Sequence, residues 1–543
     1  MTSTRPFAIT LEVGSSLANK TGAWRTERPV YRDLMPPCND VCPAGENVQG
    51  WLHHAQERDY ERAWRQLMAD NPFPAIMGRV CYHPCQTACN RVQLDQEVGI
   101  NAVERFLGDE AIRRGWTMPV TVPPSGKRVL VVGAGPSGLS AAYHLRLLGH
   151  EVVVRDGEDA PGGMMRHGIP AYRLPRDVLD AEVDRIVAMG VRLQLGEPVT
   201  DLSGALGDEG FDAVFLAIGA QLSKRAYIPA GESARILDAL GVLHDVSTGT
   251  PPQVGRRVVV YGGGNTAMDA ARTARRLGAT DALVVYRRTR DRMPAHEVEI
   301  VEALEEGVQM RWLSTIASAD AGTITVERME LDDTGFPQPT GEFEQLDVDA
   351  VILAIGQDVD RSLVDGVPDI EVADGVIQVG PDMMTGHPGI FAGGDMVPAE
   401  RTVTTGIGHG KKAARHIDAW LQSSQHESPD RPELATYDLL NTWYYPETPA
   451  ADRPQLDPDR RVSTFDEVVG GLDEEAALAE ARRCLSCGNC FECDNCYGMC
   501  PDNAITKLGP GERYTIDLDY CKGCGICVAE CPAGAITMIP EKT

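Results

Sequence analysis

The stretch from Cys484 to Cys500, CLSCGNCFECDNCYGMC, holds six of the chain's 15 cysteines, a density that no packed core explains. Within it Cys490, Cys493, Cys496 and Cys500, followed by Pro501, give C-x2-C-x2-C-x3-C-P; Cys521, Cys524, Cys527 and Cys531, followed by Pro532, repeat that spacing. Thiolates so spaced on a tight turn reach three corners of one [4Fe-4S] cubane, while the fourth crosses to a second cubane. Disulfides are the alternative use of so many cysteines. The doubled spacing opposes it, as does the opening MTSTRPFAIT, which lacks the apolar core of a secretory signal. Cys484 and Cys487 are left over from the pattern.

At 543 residues the chain exceeds one domain, and a prior of roughly 150 residues per domain predicts three or four. A net charge of −28 argues against a nucleic-acid partner, because phosphate binding needs concentrated Lys and Arg. No apolar run approaches the roughly 20 residues of a membrane span. A soluble, cytoplasmic protein is expected, with an acidic surface that serves solubility and names no partner.

The N-terminal part is helix-patterned, as in VQGWLHHAQERDYERAWRQL (Val48 to Leu67), and holds five more cysteines. Cys38 and Cys42-Pro43 form one group; Cys81, Cys85 and Cys89 form the other. A helical hairpin would bring them together as four or five ligands, for iron-sulfur or, by ligand type, for zinc.

From Lys127 the pattern changes to KRVLVVGAGPSGLSAAYHLRLLGHEVVVRD, a strand, a glycine turn, a helix and a second strand. This is a Rossmann unit. Gly133 permits the turn, Gly135 lets backbone approach a pyrophosphate, Gly138 allows close helix-strand packing, and Asp156 stands where a ribose-binding acid belongs. GRRVVVYGGGNTAMDAARTARRLGATDALVVYRR (Gly255 to Arg288) repeats the plan with Gly262, Gly264, Asn265 and Ala267. Its second strand ends in Arg287 and Arg288, with Arg292 nearby, where the first unit has an acid. A guanidinium binds a 2′-phosphate that a carboxylate would repel, so this site should prefer NADP over NAD. Surface ion pairing is the alternative role for these arginines.

DAVFLAIGA (Asp212 to Ala220) and DAVILAIGQ (Asp349 to Gln357) read as strands returning between domains. PGIFAGGD places Asp395 just past a strand, and Thr402 to Ala414 reads as a helix start. Ser423 to about Arg461, rich in Pro, Asp and Arg, is expected to wrap along the surface. EEAALAEARR then looks helical and runs into the cysteine stretch.

Taken together, GRVCYHPCQTACNR, GAGPSGLSAA, PGGMMRHGIPAYRLP, GGGNTAMDAAR, VYRRTRDRMPA and GIFAGGD resemble, in order, the small (β) subunit of glutamate synthase and its relatives, over about residues 30 to 420. The cysteine-rich C-terminus is similar to a bacterial ferredoxin. The resemblance implies FAD on the first unit, with Gly133, Gly135, Gly138 and Asp156 at its adenosine end, Gly163 near the flavin and Asp395 at its ribityl-pyrophosphate portion. It implies NADPH on the second unit and two N-terminal [4Fe-4S] clusters, one with a non-cysteine ligand at about the position of Glu104.

The implied fold is multidomain α/β. Its parts are a helical iron-sulfur domain (1–120), an FAD domain in two halves (121–250 and 346–422) around an NADP domain (251–345), a connector wrapping back (423–483) and an α+β ferredoxin domain (484–543). One departure stands out. Family members usually begin with a further C-x2-C in a phrase like EA-x-RCL-x-CG; here that phrase is EARRCLSCG, at residues 480–488. The expectation is that Cys484 and Cys487 join Cys38 and Cys89 on one cluster, while Cys42, Cys81, Cys85 and Glu104 hold another. Free thiols are the alternative.

The function implied is an electron-transfer subunit in which NADPH, FAD and clusters exchange electrons with a catalytic redox partner or ferredoxin-type acceptor, such as a 2-oxoacid:ferredoxin oxidoreductase, in a hetero-oligomer. The alternatives are the small subunit of a glutamate synthase, and, from another class, a non-enzymatic redox-sensing scaffold. Hydride transfer belongs to the cofactors, so no catalytic side chain is expected.

Overall fold

Two five-stranded parallel sheets carry the middle of the chain in the computed structural model, which describes residues 20–224, 228–229, 234–427 and 430–541. The opening MTSTRPFAIT lies outside the described residues. The first sheet runs Ile390–Ala392, Ala213–Leu216, Arg128–Val132, Glu151–Arg155, Arg192–Gln194. The second runs Gln309–Arg311, Asp281–Val285, Arg257–Tyr261, Ala350–Leu353, Ile236–Asp238. Runs such as RVLVV and AVFL are buried because helices and neighbouring segments cover both faces of such sheets.

Every strand of the second sheet falls in sequence between two strands of the first, Ala213–Leu216 and Ile390–Ala392, so one nucleotide domain is inserted in the other; because Ile236–Asp238 and Ala350–Leu353 belong to the second sheet, the inserted domain reaches beyond the expected bounds 251–345 on both sides. The outgoing and returning links pair with each other, Leu222–Ser223 against Gln357–Asp358. An antiparallel three-stranded sheet (Ser314–Asp320, Thr323–Leu331, Pro337–Asp347) covers one face of the inserted domain, sealing Val259, Val285 and Val351 with Ile316, Ile324 and Val326.

The first domain is closed by the helix Val403–Leu421, which lies on the helix Pro136–Leu147. Small residues set that closeness. A Cβ on Gly410 would stand 2.3 Å from the Ser137 carbonyl oxygen. Thr402 caps the long helix by accepting a hydrogen bond from the Thr405 N–H at 3.1 Å.

The N-terminal helices dock on this pair. Tyr143 donates to the Met68 carbonyl at 2.8 Å, Lys411 to the Gly45 carbonyl at 2.9 Å, and Glu182 accepts the N–H groups of Ala75 and Ile76 at the start of the helix Pro74–Val80. The helix-patterned stretch Val48 to Leu67 forms two helices, Val48–Gln56 and Tyr60–Met68. Arg58 turns left-handed at φ 63° and Asp59 caps the second helix through the Arg62 N–H, so the polar ERD triplet is a corner.

The connector does more than lie on the surface. Ala435 is fully buried, the Arg461 side chain reaches Glu305 of the inserted domain at 2.8 Å, and Val468 donates its N–H to the Tyr172 carbonyl. The chain ends then meet. Glu27–Tyr31 pairs antiparallel with Ile536–Pro540, against the hairpin strands Ile505–Lys507 and Tyr514–Ile516 of the cysteine-rich end. Among the described residues no helix is long and apolar enough to cross a membrane.

Candidate functional site

Each glycine loop sorts its glycines by what surrounds them. At Gly133, with φ at 109°, a Cβ would meet the Ala217 carbonyl oxygen at 2.4 Å; at Gly138 it would meet the Gly133 carbonyl oxygen at 1.9 Å. Both are demanded by the protein's own packing. Gly135 differs, for its nearest atom would be the Gly163 Cα at 3.9 Å. In the second loop Gly262 abuts the Ala354 carbonyl oxygen at 2.1 Å, whereas nothing lies within 4 Å of a Cβ on Gly264. Gly135 and Gly264 cap the helices Pro136–Leu147 and Asn265–Arg276, and no side chain caps either helix start. Both loops therefore fit a pyrophosphate.

Asp156 follows its strand and ties the first loop, accepting from the Ala134 N–H at 2.6 Å and the Glu158 N–H at 2.9 Å. The remaining lone pairs of its carboxylate are what ribose hydroxyls could use. Gly163, at φ 52°, sits against Gly135, so the PGG segment lies on the glycine turn.

In the second domain Ala267 is buried in the sheet-helix core. Asn265 is engaged, its Oδ1 accepting the His296 N–H at 2.9 Å. Arg287 is exposed and Arg288 half-buried with its Nε unpartnered; Arg292 packs near Gly335, with its carbonyl accepting from the Tyr286 hydroxyl.

The two loops open on one cleft of about 170 Å³, lined by Pro136, Met164 and Asp395 from one domain and by Asn265 and Thr266 from the other. Burial raises the Asp395 carboxyl above its ordinary range, with Arg401 opposing the shift. Beside the cleft the Tyr82 ring stacks on His296, centroids 3.5 Å apart and planes 15° from parallel. Arg173 donates to Asp269 at 2.8 Å and reaches the Tyr82 hydroxyl at 3.4 Å. Tyr82, His296 and Arg173 were not singled out in the sequence; only the position of Tyr82 beside Cys81 hints at them.

None of the 15 cysteines is in a disulfide, and they collect in four groups. Cys38, Cys89, Cys484 and Cys487 line one pocket, which joins residues more than 440 apart in sequence. Cys42, Cys81, Cys85 and Glu104 lie together: burial raises the Cys85 thiol well above its usual range, and Cys81, Cys42, Cys38 and Glu104 add to the rise. Glu104 is buried, shares Asn71 with Glu46 at 2.9 Å each, and is pushed well up by burial and by the Glu46 charge. Cys500 lines a pocket with Cys521, Cys524 and Cys527. Burial lifts the Cys493 thiol to about 11, and Cys531 and Cys490 contribute; Cys496 is lifted to about 12 beside the same three. The last cysteine of each ferredoxin run has thus crossed to the other run's group.

Thiols packed this closely repel one another as thiolates, a repulsion that an iron-sulfur cluster removes. N–H groups of His83, Ser486, Ala504 and Ala535 donate to the sulfurs of Cys81, Cys484, Cys500 and Cys531 at 3.2 to 3.4 Å. Such bonds set cluster potentials. Thr404, at the start of the long helix, donates to Cys81 at 3.3 Å. Tyr445, not foreseen from sequence, donates its hydroxyl to the Leu485 carbonyl at 3.1 Å; burial raises the pKa of that hydroxyl, and Cys484, Cys487, Cys493 and Cys531, from two of the groups, add to the rise.

A glycine loop open to a pyrophosphate in each of two interlocked parallel-sheet domains defines a flavoprotein oxidoreductase that binds a second nucleotide. The profile of pyridine nucleotide-disulphide oxidoreductases matches residues 127–416, more than half of the chain, and the chain belongs to that family. A profile described as dihydropyrimidine dehydrogenase domain II, 4Fe-4S cluster, matches residues 20–116, and one of 4Fe-4S dicluster domains matches residues 489–535. The cofactors are therefore FAD, an NADP-type nucleotide and [4Fe-4S] clusters.

Among relatives, the NADP(+)-dependent formate dehydrogenase subunit beta of Moorella thermoacetica is 36% identical over 84% of this chain and 71% of its own length. The NADPH-Fe(3+) oxidoreductase subunit beta of Geobacter sulfurreducens is 33% identical over 83% and 75%. The small chain of NADPH glutamate synthase of Azospirillum brasilense is 33% identical over 72% and 87%.

Proposed function

We propose that this chain is the NADPH-linked electron-transfer subunit of a larger redox enzyme, and that its four cysteine groups hold four [4Fe-4S] clusters in series. The observation that carries the reading is their order in space. Cys81 is tied to Thr404 of the helix whose start lines the nucleotide cleft. The Cys42, Cys81, Cys85 and Glu104 group borders the Cys38, Cys89, Cys484 and Cys487 group through Cys85 and Cys38. The Tyr445 hydroxyl, bonded to the Leu485 carbonyl, feels Cys484 and Cys487 of that group and Cys493 and Cys531 of the next. Cys527 feels Cys496, which joins the last two groups.

The flavin, when bound, exchanges a hydride with the nicotinamide and single electrons with clusters. The protein's part is positional. Gly135 and Gly264 admit the two pyrophosphates, Asp395 meets the flavin's ribityl side, and Arg287 and Arg288 select the 2′-phosphate. Cys493 and Cys524 are exposed, so the ferredoxin end is the outlet toward a partner.

The partner is a catalytic subunit exchanging low-potential single electrons, in the manner of a formate dehydrogenase or 2-oxoacid:ferredoxin oxidoreductase. A glutamate synthase partner is less well supported, because the Azospirillum small chain matches only 72% of this chain, over 426 residues. Anaerobic titration with NADPH should bleach the flavin and then reduce iron-sulfur signals, in protein carrying about 16 irons, four per cluster. Flavin that NADPH leaves oxidised would overturn the reading. Purification of the native complex and identification of its other chain names the partner.

A further inference from the structure

The seam between the two nucleotide domains carries a set of side chains that no cofactor above uses. His167 ends the short helix Met164–His167 of the flavin domain, and Glu158 sits in the loop after the strand Glu151–Arg155. His244 projects from the helix Ala239–Ser247, which continues the edge strand Ile236–Asp238 of the inserted domain. One ligand atom from each of the three lies within 4.8 Å of the others. His244 Nε2 faces a Glu158 oxygen at 3.6 Å, and the two imidazoles stand 4.8 Å apart between centroids.

We propose that Glu158, His167 and His244 form a binding site for a divalent metal ion of zinc type, closed across the domain seam. His167 is 8% exposed and its Nε2 has no hydrogen-bond partner, a costly state for a buried polar atom unless something is meant to meet it. Its Nδ1 is paired with the Ser247 hydroxyl at 3.2 Å, the outer contact that orients a metal-bound histidine. Two imidazoles and one carboxylate are a borderline-soft donor set with an open fourth position, which suits Zn²⁺ better than Ca²⁺ or Mg²⁺. Zinc bonds of about 2.0–2.2 Å require these atoms to close only modestly from their present spacing.

The surroundings are compatible with a cation. Asp245 lies 3.7 Å from His244 Nδ1; of the two guanidiniums near His167, Arg166 is neutralised by Asp180 and Arg176 is held by the carbonyls of Met165, Leu174 and Ile169. Because the donors come from both domains, a bound metal fixes the inserted domain against the flavin domain in the orientation seen here.

The test uses the holoprotein with flavin and iron quantified, washed with a chelator, loaded with zinc chloride, desalted and assayed by mass spectrometry for metal. Wild type should retain one zinc ion per chain more than His244→Ala or Glu158→Gln, whose side chains are half-exposed and tolerate replacement. Zinc taken up by stray cysteines is common to all three and cancels. Added zinc should also raise the thermal midpoint by several degrees in wild type and leave both variants unmoved, since a ligand of the folded state stabilises it. Equal zinc retention in all three proteins, or retention by wild type without a shift in midpoint, would overturn the proposal.

Discussion

At the scale of single residues, a glycine is informative when its missing Cβ would touch nothing. Gly264 has φ at −92°, open to any residue, and no protein atom within 4 Å of a built Cβ. Its identity serves a ligand. Gly264→Ala should leave folding stability within about 0.5 kcal/mol of wild type while raising the KM for NADPH; a fall in thermal midpoint with unchanged KM would contradict this. The paired arginines make the complementary case. Among the described residues Arg287 has no ion-pair partner, and the Arg288 Nε has no partner at all. Replacing both with alanine should weaken NADPH about 10- to 100-fold, as loss of charge-assisted hydrogen bonds does, and leave NADH unchanged. Flavin reduction rates with the two nucleotides measure it, and a wild-type preference for NADH would sink the argument.

At the scale of elements, the pair of helices Pro136–Leu147 and Val403–Leu421 is held at glycine distance. A Cβ at Gly410 would lie 2.3 Å from the Ser137 carbonyl oxygen and 2.7 Å from the Ala141 nitrogen, both backbone atoms that cannot rotate away. Gly410→Ala should therefore destabilise the flavin domain by about 1–3 kcal/mol, read as earlier flavin release on heating. A second device joins the helix Asn265–Arg276 to the rest. Arg272 pairs with Glu302 at 2.7 Å and Glu306 at 2.8 Å, Arg276 with Glu306 at 2.6 Å, and the Tyr172 ring lies under both guanidiniums. Fully buried charges are tolerated here because each is paired and hydrogen-bonded.

At the scale of the whole molecule, the chain ends are joined by ion pairs as well as strands. Asp95 accepts from Arg91 at 2.8 and 2.7 Å and from Arg483 at 3.1 Å, linking the N-terminal domain to the residue before Cys484. The Arg91 hydrogen bonds hold its carboxyl well below the ordinary range, against burial. The folded form then binds its proton less tightly than the unfolded chain. That contribution is complete above the ordinary carboxylate pKa of about 3.9 and is lost as pH falls below it. The gap in thermal midpoint between wild type and Asp95→Asn should hold from about pH 8 to pH 6 and narrow below about pH 4. A gap constant into that acid range would show that Asp95 is not a linked group. Replacing Cys484 and Cys487 by alanine should lower iron from about 16 to about 12 per chain with both ferredoxin signals retained in electron paramagnetic resonance. Loss of a ferredoxin signal would mean that the cysteine run divides elsewhere.

The sequence by itself determined the local chemistry. Ferredoxin spacing, two glycine turns with their strands and helices, and the acid-to-arginine change all depend on residues close together in the chain, where geometry follows from the repeat of helix and strand. It also exposed the displaced EARRCLSCG phrase. Tertiary structure alone decided what depends on contacts between distant segments: that Tyr445 comes near cysteines of two groups, that Tyr82 stacks on His296, and that His167 and His244 meet across a seam. The ERD corner that splits Val48 to Leu67 was hidden for a related reason, since both halves keep the helical period and only the turn between them departs from it. Short-range periodicity fixes an element's face; the partner that face meets is set by the packing of the entire chain.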